Sequence, residues 1–260
     1  MENEKYLSNI KRYRKPKLSE IKFYKEEGYI VVKDVVPIND IIVLKKYCDE
    51  LISKKKKYNV KDWSWKTEDG NLDKRKFRII QVTVSDKFEQ IHNMSFRKWS
   101  TMFASKLHCR NVKFWYDQFI GKKPNYDAST PWHQDEAYWG PSLSNHVITW
   151  WTPLQDVDIN NGCMHFLKNG HKLGVLKHEN PTSIQSDQLI CEINNADIIP
   201  CPINMGSVTF HNSKMPHMTT SNSSDQLRYA MTQHFHTESI SIDSNLQYDW
   251  KVTGRRKNQV

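Results

Sequence analysis

The segment Thr130-Pro131-Trp132-His133-Gln134-Asp135 sets an imidazole and a carboxylate two residues apart. In a strand, residues i and i+2 share a face, so His133 and Asp135 can aim at one point. A third ligand has to come from elsewhere in the fold. His217, in Lys214-Met215-Pro216-His217-Met218-Thr219, is the best candidate. Two imidazoles and one carboxylate on one face of an octahedron leave three positions open, the donor set of non-haem iron oxygenases. Alone, a His-x-Asp pair is a weak signal that arises by chance on loops, and the downstream context gives it weight. Arg228 lies eleven residues after His217, inside the strand-like run Leu227-Arg228-Tyr229-Ala230-Met231. From a neighbouring strand its planar fork can reach the same cavity and grip a carboxylate. A buried cation near a metal needs an anionic partner, and a carboxylate co-substrate would supply one.

These residues need a rigid frame. Leu18 to Glu27 has a helical apolar pattern that stops at Gly28, and Tyr29-Ile30-Val31-Val32 reads as a short strand. Asn39 is expected to cap a helix running to about Ser53, with Ile42, Leu44, Tyr47, Cys48, Leu51 and Ile52 near the helical period. Phe77 to Val84 alternates like a strand. Asp86 to about His108 reads as helix, with Phe88, Ile91, Trp99, Met102, Phe103 and Leu107 as its buried stripe. After residue 110, short β-branched and aromatic runs (VKFWYDQFI, HVITWWTPL, MHFL, SVTF, RYAMTQHFH) alternate with Gly, Pro, Asn and Ser clusters. The expected fold is α+β: a jelly-roll-like β core over about 111–240, buttressed by a helix-rich 1–110. All 260 residues are expected to form one domain.

Composition narrows the setting. No run approaches the roughly 18–20 apolar residues of a membrane helix, and the polar N-terminus lacks the pattern of a secretory signal. Five scattered cysteines without a Cys-x-x-Cys pair read as reduced, buried thiols. The expectation is a cytoplasmic protein with no membrane partner. The net charge of +9 is concentrated in runs at Lys11–Lys17, Lys54–Lys57, Lys74–Arg78 and Arg255–Lys257. Such runs read first as solvated faces. Without a nucleic-acid-binding motif among them they point away from nucleic acid, and they mildly favour an anionic or zwitterionic small-molecule substrate.

The chain resembles the phytanoyl-CoA dioxygenase family of iron(II)/2-oxoglutarate-dependent oxygenases. The likeness runs from LSEIKFYKEEGYIVVKDVV through WHQD and TWWTPLQDVDINNGCMHFLKNGHK to HMTTSN and Arg228, spanning roughly residues 18–236. It implies a double-stranded β-helix (cupin-like) core, with Fe(II) as cofactor and 2-oxoglutarate and O2 as co-substrates. It makes His133, Asp135 and His217 the iron ligands and the catalytic centre. Arg228 and Thr219 would hold the distal carboxylate of 2-oxoglutarate, Trp151 would line its pocket, and Gln118 and Tyr116 would add contacts. Tyr138, Trp139 and Arg78 are the candidate substrate-facing residues, Arg78 being also the nearest match to a basic co-substrate ligand. A carboxylate at Asp135 argues against halogenation, since related halogenases carry a small residue there. The family's Pro-Gly-Ser-His becomes Lys168-Asn169-Gly170-His171, a change in a loop outside the metal site.

The remaining histidines read as structural: His165 and His171 near the Asn-Gly turn, His211 six residues before His217, and His234 and His236 after Arg228. His92, His108, His146 and His178 have no partner in the pattern. The implied reaction is hydroxylation, or another oxidation, of an unactivated C–H bond in an amino-acid derivative or natural-product intermediate, with 2-oxoglutarate converted to succinate and CO2. Two other readings share the triad. One is a metal-binding cupin-type protein holding zinc or manganese, which has no need of Arg228. The other is a nucleic-acid demethylase, which would carry a second arginine-bearing motif not found here. Monomer and homodimer both remain open.

Overall fold

The computed structural model describes residues 13–65, 76–125, 127–139, 146–179, 189–194, 197–237 and 248–250. The expected basic runs at 74–75 and 255–257 therefore lie outside the described residues, as does the first part of the one at Lys11–Lys17.

Helix α1 (Leu18–Glu27) starts where Glu20 accepts from the Lys17 backbone N–H at 2.7 Å, and Arg14 grips the same carboxylate with both arms. It ends at Gly28 in the left-handed region (φ 78°), whose N–H returns to the Tyr24 carbonyl. Strand β1 (Tyr29–Val32) follows as expected. Helix α2 covers Ile38–Ser53, starting one residue ahead of the expected cap, and its capping position is Pro37. Proline has no N–H to leave unsatisfied and its φ already suits a helix entry, so Asn39 falls inside the first turn. A four-residue turn of helix, α3 (Lys55–Tyr58), follows, then β2 (Lys61–Trp65) and β3 (Lys76–Val82).

The helix expected over 86–108 is divided. A 3-10 turn at Val84–Asp86 and the short α4 (Gln90–Asn93) precede α5 (Ser95–His108), with Met94 extended at the break (ψ 138°). Periodicity cannot reveal this break, because Phe88, Ile91, Phe96, Trp99 and Phe103 are buried in one core on both sides of it.

The β core comprises β4 (Val112–Lys122), β5 (Thr130–His133), β6 (Val147–Pro153), β7 (Met164–Leu167), β8 (Ile198–Cys201), β9 (Val208–Asn212), β10 (His217–Thr219) and β11 (Arg228–Thr237). They form two antiparallel sheets, ordered β1-β9-β6-β11-β4-β3-β2 and β5-β10-β7-β8, which is the expected jelly-roll arrangement. Alternation sorts the side chains of the large sheet. Asp117 and Phe119 of β4, Trp150 of β6, Phe210 of β9 and Gln233 of β11 face the helices. There Phe96 stacks on Trp150 at 5.6 Å and Arg97 pairs with Asp117 at 2.6 Å. The intervening residues face the small sheet, and the candidate site lies between the two sheets.

The five cysteines are unpaired, and four are buried. Cys109 is the exception: it takes the left-handed position that ends α5 (φ 54°) and is exposed. No helix among the described residues is long and apolar enough to cross a membrane.

Candidate metal centre and co-substrate pocket

His133 is the last residue of β5, and Gln134 continues extended (φ −121°, ψ 134°), so the same-face rule still carries to Asp135. Asp135 itself opens a 3-10 turn, Asp135–Tyr138, rather than continuing the strand. His217 begins β10 and pairs in register with His133 across the small sheet. One ligand atom from each of His133, Asp135 and His217 lies within 4.8 Å of the others, close enough for one ion to meet all three. Asp135 Oδ1 is 3.8 Å from His133 Nε2 and 3.7 Å from His217 Nε2.

The tautomers suit a metal. His133 Nδ1 lies 2.8 Å from the Pro131 carbonyl and His217 Nδ1 lies 2.8 Å from the Met215 carbonyl. A carbonyl only accepts, so each Nδ1 carries the proton and each Nε2 turns its lone pair to the site. Burial pushes both imidazoles below their ordinary range, and His133 lowers His217 further; the Asp135 carboxylate opposes this in both rings but does not outweigh burial, so both are neutral at physiological pH. Burial alone would raise the Asp135 carboxyl, but the facing imidazoles and the His211 hydrogen bond outweigh it and keep the group ionised. Two neutral nitrogens and one carboxylate oxygen fit a divalent iron.

The second oxygen of Asp135 is occupied. Oδ2 accepts from Thr149 Oγ1 at 2.6 Å and from His211 Nε2 at 3.3 Å. Thr149 in turn accepts from His234 Nδ1 at 3.1 Å, and His234 Nε2 lies 3.3 Å from Thr232 Oγ1. Oδ1 alone is left for a metal.

A second cluster of polar side chains lies on β3, β4 and β11 of the large sheet. In the registers of β3, β4 and β11, Arg78, Lys122 and Arg228 stand side by side, all buried. Adjacent like charges destabilise a sheet unless an anion joins them. Burial and the neighbouring Arg78 lower Arg228 to about 9, and burial with both arginines holds Lys122 well below its ordinary range. Lys122 Nζ donates to the carbonyls of Thr219, at 3.1 Å, and Thr220. Arg228 Nε and Nη1 and Thr219 Oγ1 are buried without hydrogen-bond partners. Orphaned buried donors are costly, and these lie where a distal carboxylate would accept from them. Gly162 (φ +93°) closes the cradle: a Cβ there would stand 2.9 Å from the Thr220 carbonyl and 3.5 Å from Arg228 Nε. The residues present therefore fit 2-oxoglutarate beside iron.

The other expected residues fall on both sides of this line. Trp151 lies beneath Arg228, with the guanidinium 5.9 Å from its ring. Gln118 is half-buried opposite Thr232, and Tyr116 stacks on His234 at 4.3 Å. Arg78 stands with Lys122 and Arg228 and donates to Thr130 Oγ1 at 2.7 Å, away from the Tyr138–Trp139 turn with which it was grouped. Tyr138 is edge-on to His133, and its hydroxyl accepts from the Leu189 N–H at 2.9 Å. Trp139 packs against Trp115 and His234.

Lys122, Thr149 and Gly162 carry no signal of their own in the sequence. Lys122 shares strand parity with Tyr116 and Gln118, and Thr149 with Trp151, so alternation was the available signal. His211, read as structural, donates to Asp135 Oδ2. His171 braces the Asn-Gly loop against α1: its Nε2 lies 3.1 Å from the Lys25 carbonyl, and its ring fills the space a Cβ on Gly28 would need.

A family model for phytanoyl-CoA dioxygenase (PhyH) matches residues 24–230. Mouse peroxisomal phytanoyl-CoA dioxygenase is 26% identical over 171 residues, covering 63% of this chain and 50% of that protein. The bovine enzyme is 24% identical over 245 residues, 89% of this chain and 70% of its own length. The chain thus spans about half to seven-tenths of these relatives. Among solved structures, EvdO2 from Micromonospora carbonacea var. aurantiaca, complexed with 2-oxoglutarate, superposes with a TM-score of 0.72 at 21% identity, covering 91% of this chain and 98% of that one. That likeness shows a shared fold, while the family match covers most of the sequence, so the chain belongs to the phytanoyl-CoA dioxygenase (PhyH) family.

Proposed function

We propose that this chain is an iron(II)- and 2-oxoglutarate-dependent oxygenase. Its prime substrate is a small molecule, an amino-acid derivative or natural-product intermediate, oxidised at an unactivated C–H bond while 2-oxoglutarate leaves as succinate and CO2. The observation that carries the reading is Arg228, buried with two unpartnered nitrogens in a row of three cations, on the strand that also bears His234 of the network behind Asp135. A zinc-binding cupin has no use for such a clamp.

His133, Asp135 and His217 would hold the metal, and Arg228, Thr219 and Lys122 would hold the far carboxylate, with Trp151 as the floor beneath. Bound iron, 2-oxoglutarate and oxygen supply the oxidising power. The protein orients them: neutral Nε2 atoms donate lone pairs, and Thr149 and His211 fix which Asp135 oxygen faces the metal. The packed aromatic wall of Trp115, Tyr116, Trp139 and His234 excludes water on the Asp135 side. The five unpaired cysteines support action in a reducing compartment such as the cytoplasm.

Calorimetric titration of 2-oxoglutarate into metal-loaded protein tests the reading. Arg228→Met should weaken binding by about 10- to 100-fold, as expected for a lost charge-assisted pair, with metal affinity retained. Equal 2-oxoglutarate affinity in the variant would refute the clamp.

A further inference from the structure

The family match ends at residue 230, yet Tyr248 and Trp250 beyond it reach back to the metal loop through two hydrogen bonds, and Trp250 also packs on His178. Tyr248 and Trp250 stack on each other at 4.4 Å with ring planes 9° apart, so they present one flat block. From it, Trp250 Nε1–H donates to the Ala137 carbonyl at 3.2 Å and the Tyr248 hydroxyl donates to Glu136 Oε1 at 3.4 Å. Both acceptors lie in the 3-10 turn that Asp135 opens.

The block also touches the other side of the ligand pair. Trp250 packs on His178 with ring centroids 5.3 Å apart. His178 Nδ1 donates to the Leu176 carbonyl at 2.8 Å, which leaves Nε2 as acceptor for the backbone N–H of Gln134 at 3.1 Å. Gln134 is the residue between His133 and Asp135. Glu136 is fully buried, and its other oxygen accepts from Ser213 Oγ at 2.9 Å, four residues ahead of His217. Its backbone N–H adds a bond to the Ser213 carbonyl at 3.0 Å. Asp135 thus sits between two braced positions: Glu136–Ala137, bonded directly by Tyr248 and Trp250, and Gln134, held by His178 on which Trp250 packs.

The geometry points to Tyr248 and Trp250 as positioning residues that hold the Asp135 turn in register with His133 and His217. The inference rests on the iron site proposed above. They touch no ligand atom, so their effect reaches the metal only through the backbone of residues 134–137. The 2-oxoglutarate cradle of Arg228, Thr219 and Lys122 is built on other strands and is spared.

The test compares the parent with a chain ending at Gln247 and with Tyr248→Phe and Trp250→Phe, which keep a ring but lose each hydrogen bond. Three quantities are read: Mn(II) affinity of the apo-protein by electron paramagnetic resonance of free ion, 2-oxoglutarate affinity at saturating Mn(II), and apo-protein thermal unfolding. The shortened chain should bind Mn(II) about tenfold more weakly, the lower end for outer-shell supports, and Trp250→Phe should fall between it and the parent. 2-Oxoglutarate affinity at saturating metal should stay within about twofold of the parent, since its ligands lie on other strands. Mn(II) affinity within about twofold of the parent in all three variants would overturn the inference, as would a matching loss of 2-oxoglutarate affinity, which signals general loosening. If the shortened chain does not fold, the two point variants carry the test. A parent that binds no Mn(II) would instead refute the iron site itself.

Discussion

Replacing Thr149 by valine removes a hydroxyl while nearly keeping the shape of a side chain that is 1% exposed. Two hydrogen bonds vanish: the 2.6 Å donation to Asp135 Oδ2 and the 3.1 Å bond from His234 Nδ1. A hydrogen bond to a charged group contributes about 1.5–3 kcal/mol. Because the Asp135 bond exists with and without metal, only its orienting part enters the metal affinity. His211 still holds Oδ2 at 3.3 Å, so Asp135 stays ionised but can swing between monodentate and bidentate arrangements. The expected loss is about tenfold in metal affinity, or about 1.4 kcal/mol, with a further 1–2 kcal/mol or so of apo-protein stability. Competition for Fe(II) against a chromophoric chelator under anaerobic conditions reads the first, and urea unfolding reads the second. Thr149→Ser restores the hydroxyl and should return both values to the parent's. A Thr149→Val protein with parental Fe(II) affinity would show that the Thr149 hydroxyl does not orient Asp135, and so would a serine variant as weak as the valine one.

Gly162→Ala puts a methyl group against the Thr220 carbonyl and Arg228 at a φ of +93°, which should weaken 2-oxoglutarate binding about tenfold by displacing Arg228 and leave metal affinity unchanged by calorimetry. Arg97→Met leaves Asp117 buried without its 2.6 Å partner and should cost about 3–5 kcal/mol in urea unfolding, whereas adding Asp117→Leu should recover most of that loss. His178 is held by burial at about 4 rather than 6.5, so the unfolded chain binds more protons between those values. Its stabilising contribution is complete above pH 6.5 and is lost as pH falls towards 4, by about 3 kcal/mol in all. Urea unfolding of the apo-protein at pH 7 and pH 4.5 should therefore show a shallower acid loss, by about 2–3 kcal/mol, in His178→Gln, and parallel losses in the two proteins would contradict this.

The parts of the fold read from sequence were those with a local cause. Gly28 ends α1 because it takes the left-handed position (φ 78°) that glycine adopts without a Cβ clash, and β4, β6 and β11 announce themselves by β-branched and aromatic runs. Residue spacing brought His133 and Asp135 to one point, but it could not show that Asp135 begins a turn, since an extended Gln134 serves either case. What stayed hidden depended on register. Arg78, Lys122 and Arg228 are distant in sequence and become one row only when β3, β4 and β11 align. Local spacing groups Arg78 with neither Lys122 nor Arg228, and it stands beside Lys122 in the sheet. The supports behind Asp135 were hidden for the same reason. Thr149 and His211 lie opposite each other on β6 and β9, and neither carries a local signature of its role.

The iron–2-oxoglutarate claim is tested most directly by succinate formation from 2-oxoglutarate in the presence of Fe(II) and oxygen, measured for the parent and for Asp135→Ala, His217→Ala and Arg228→Met. The parent should form succinate only when metal, oxygen and 2-oxoglutarate are all present. Both ligand variants should form none at any 2-oxoglutarate concentration, and Arg228→Met should regain part of the activity at high concentration. Succinate formation by His217→Ala at the parent's rate would contradict the assigned metal site.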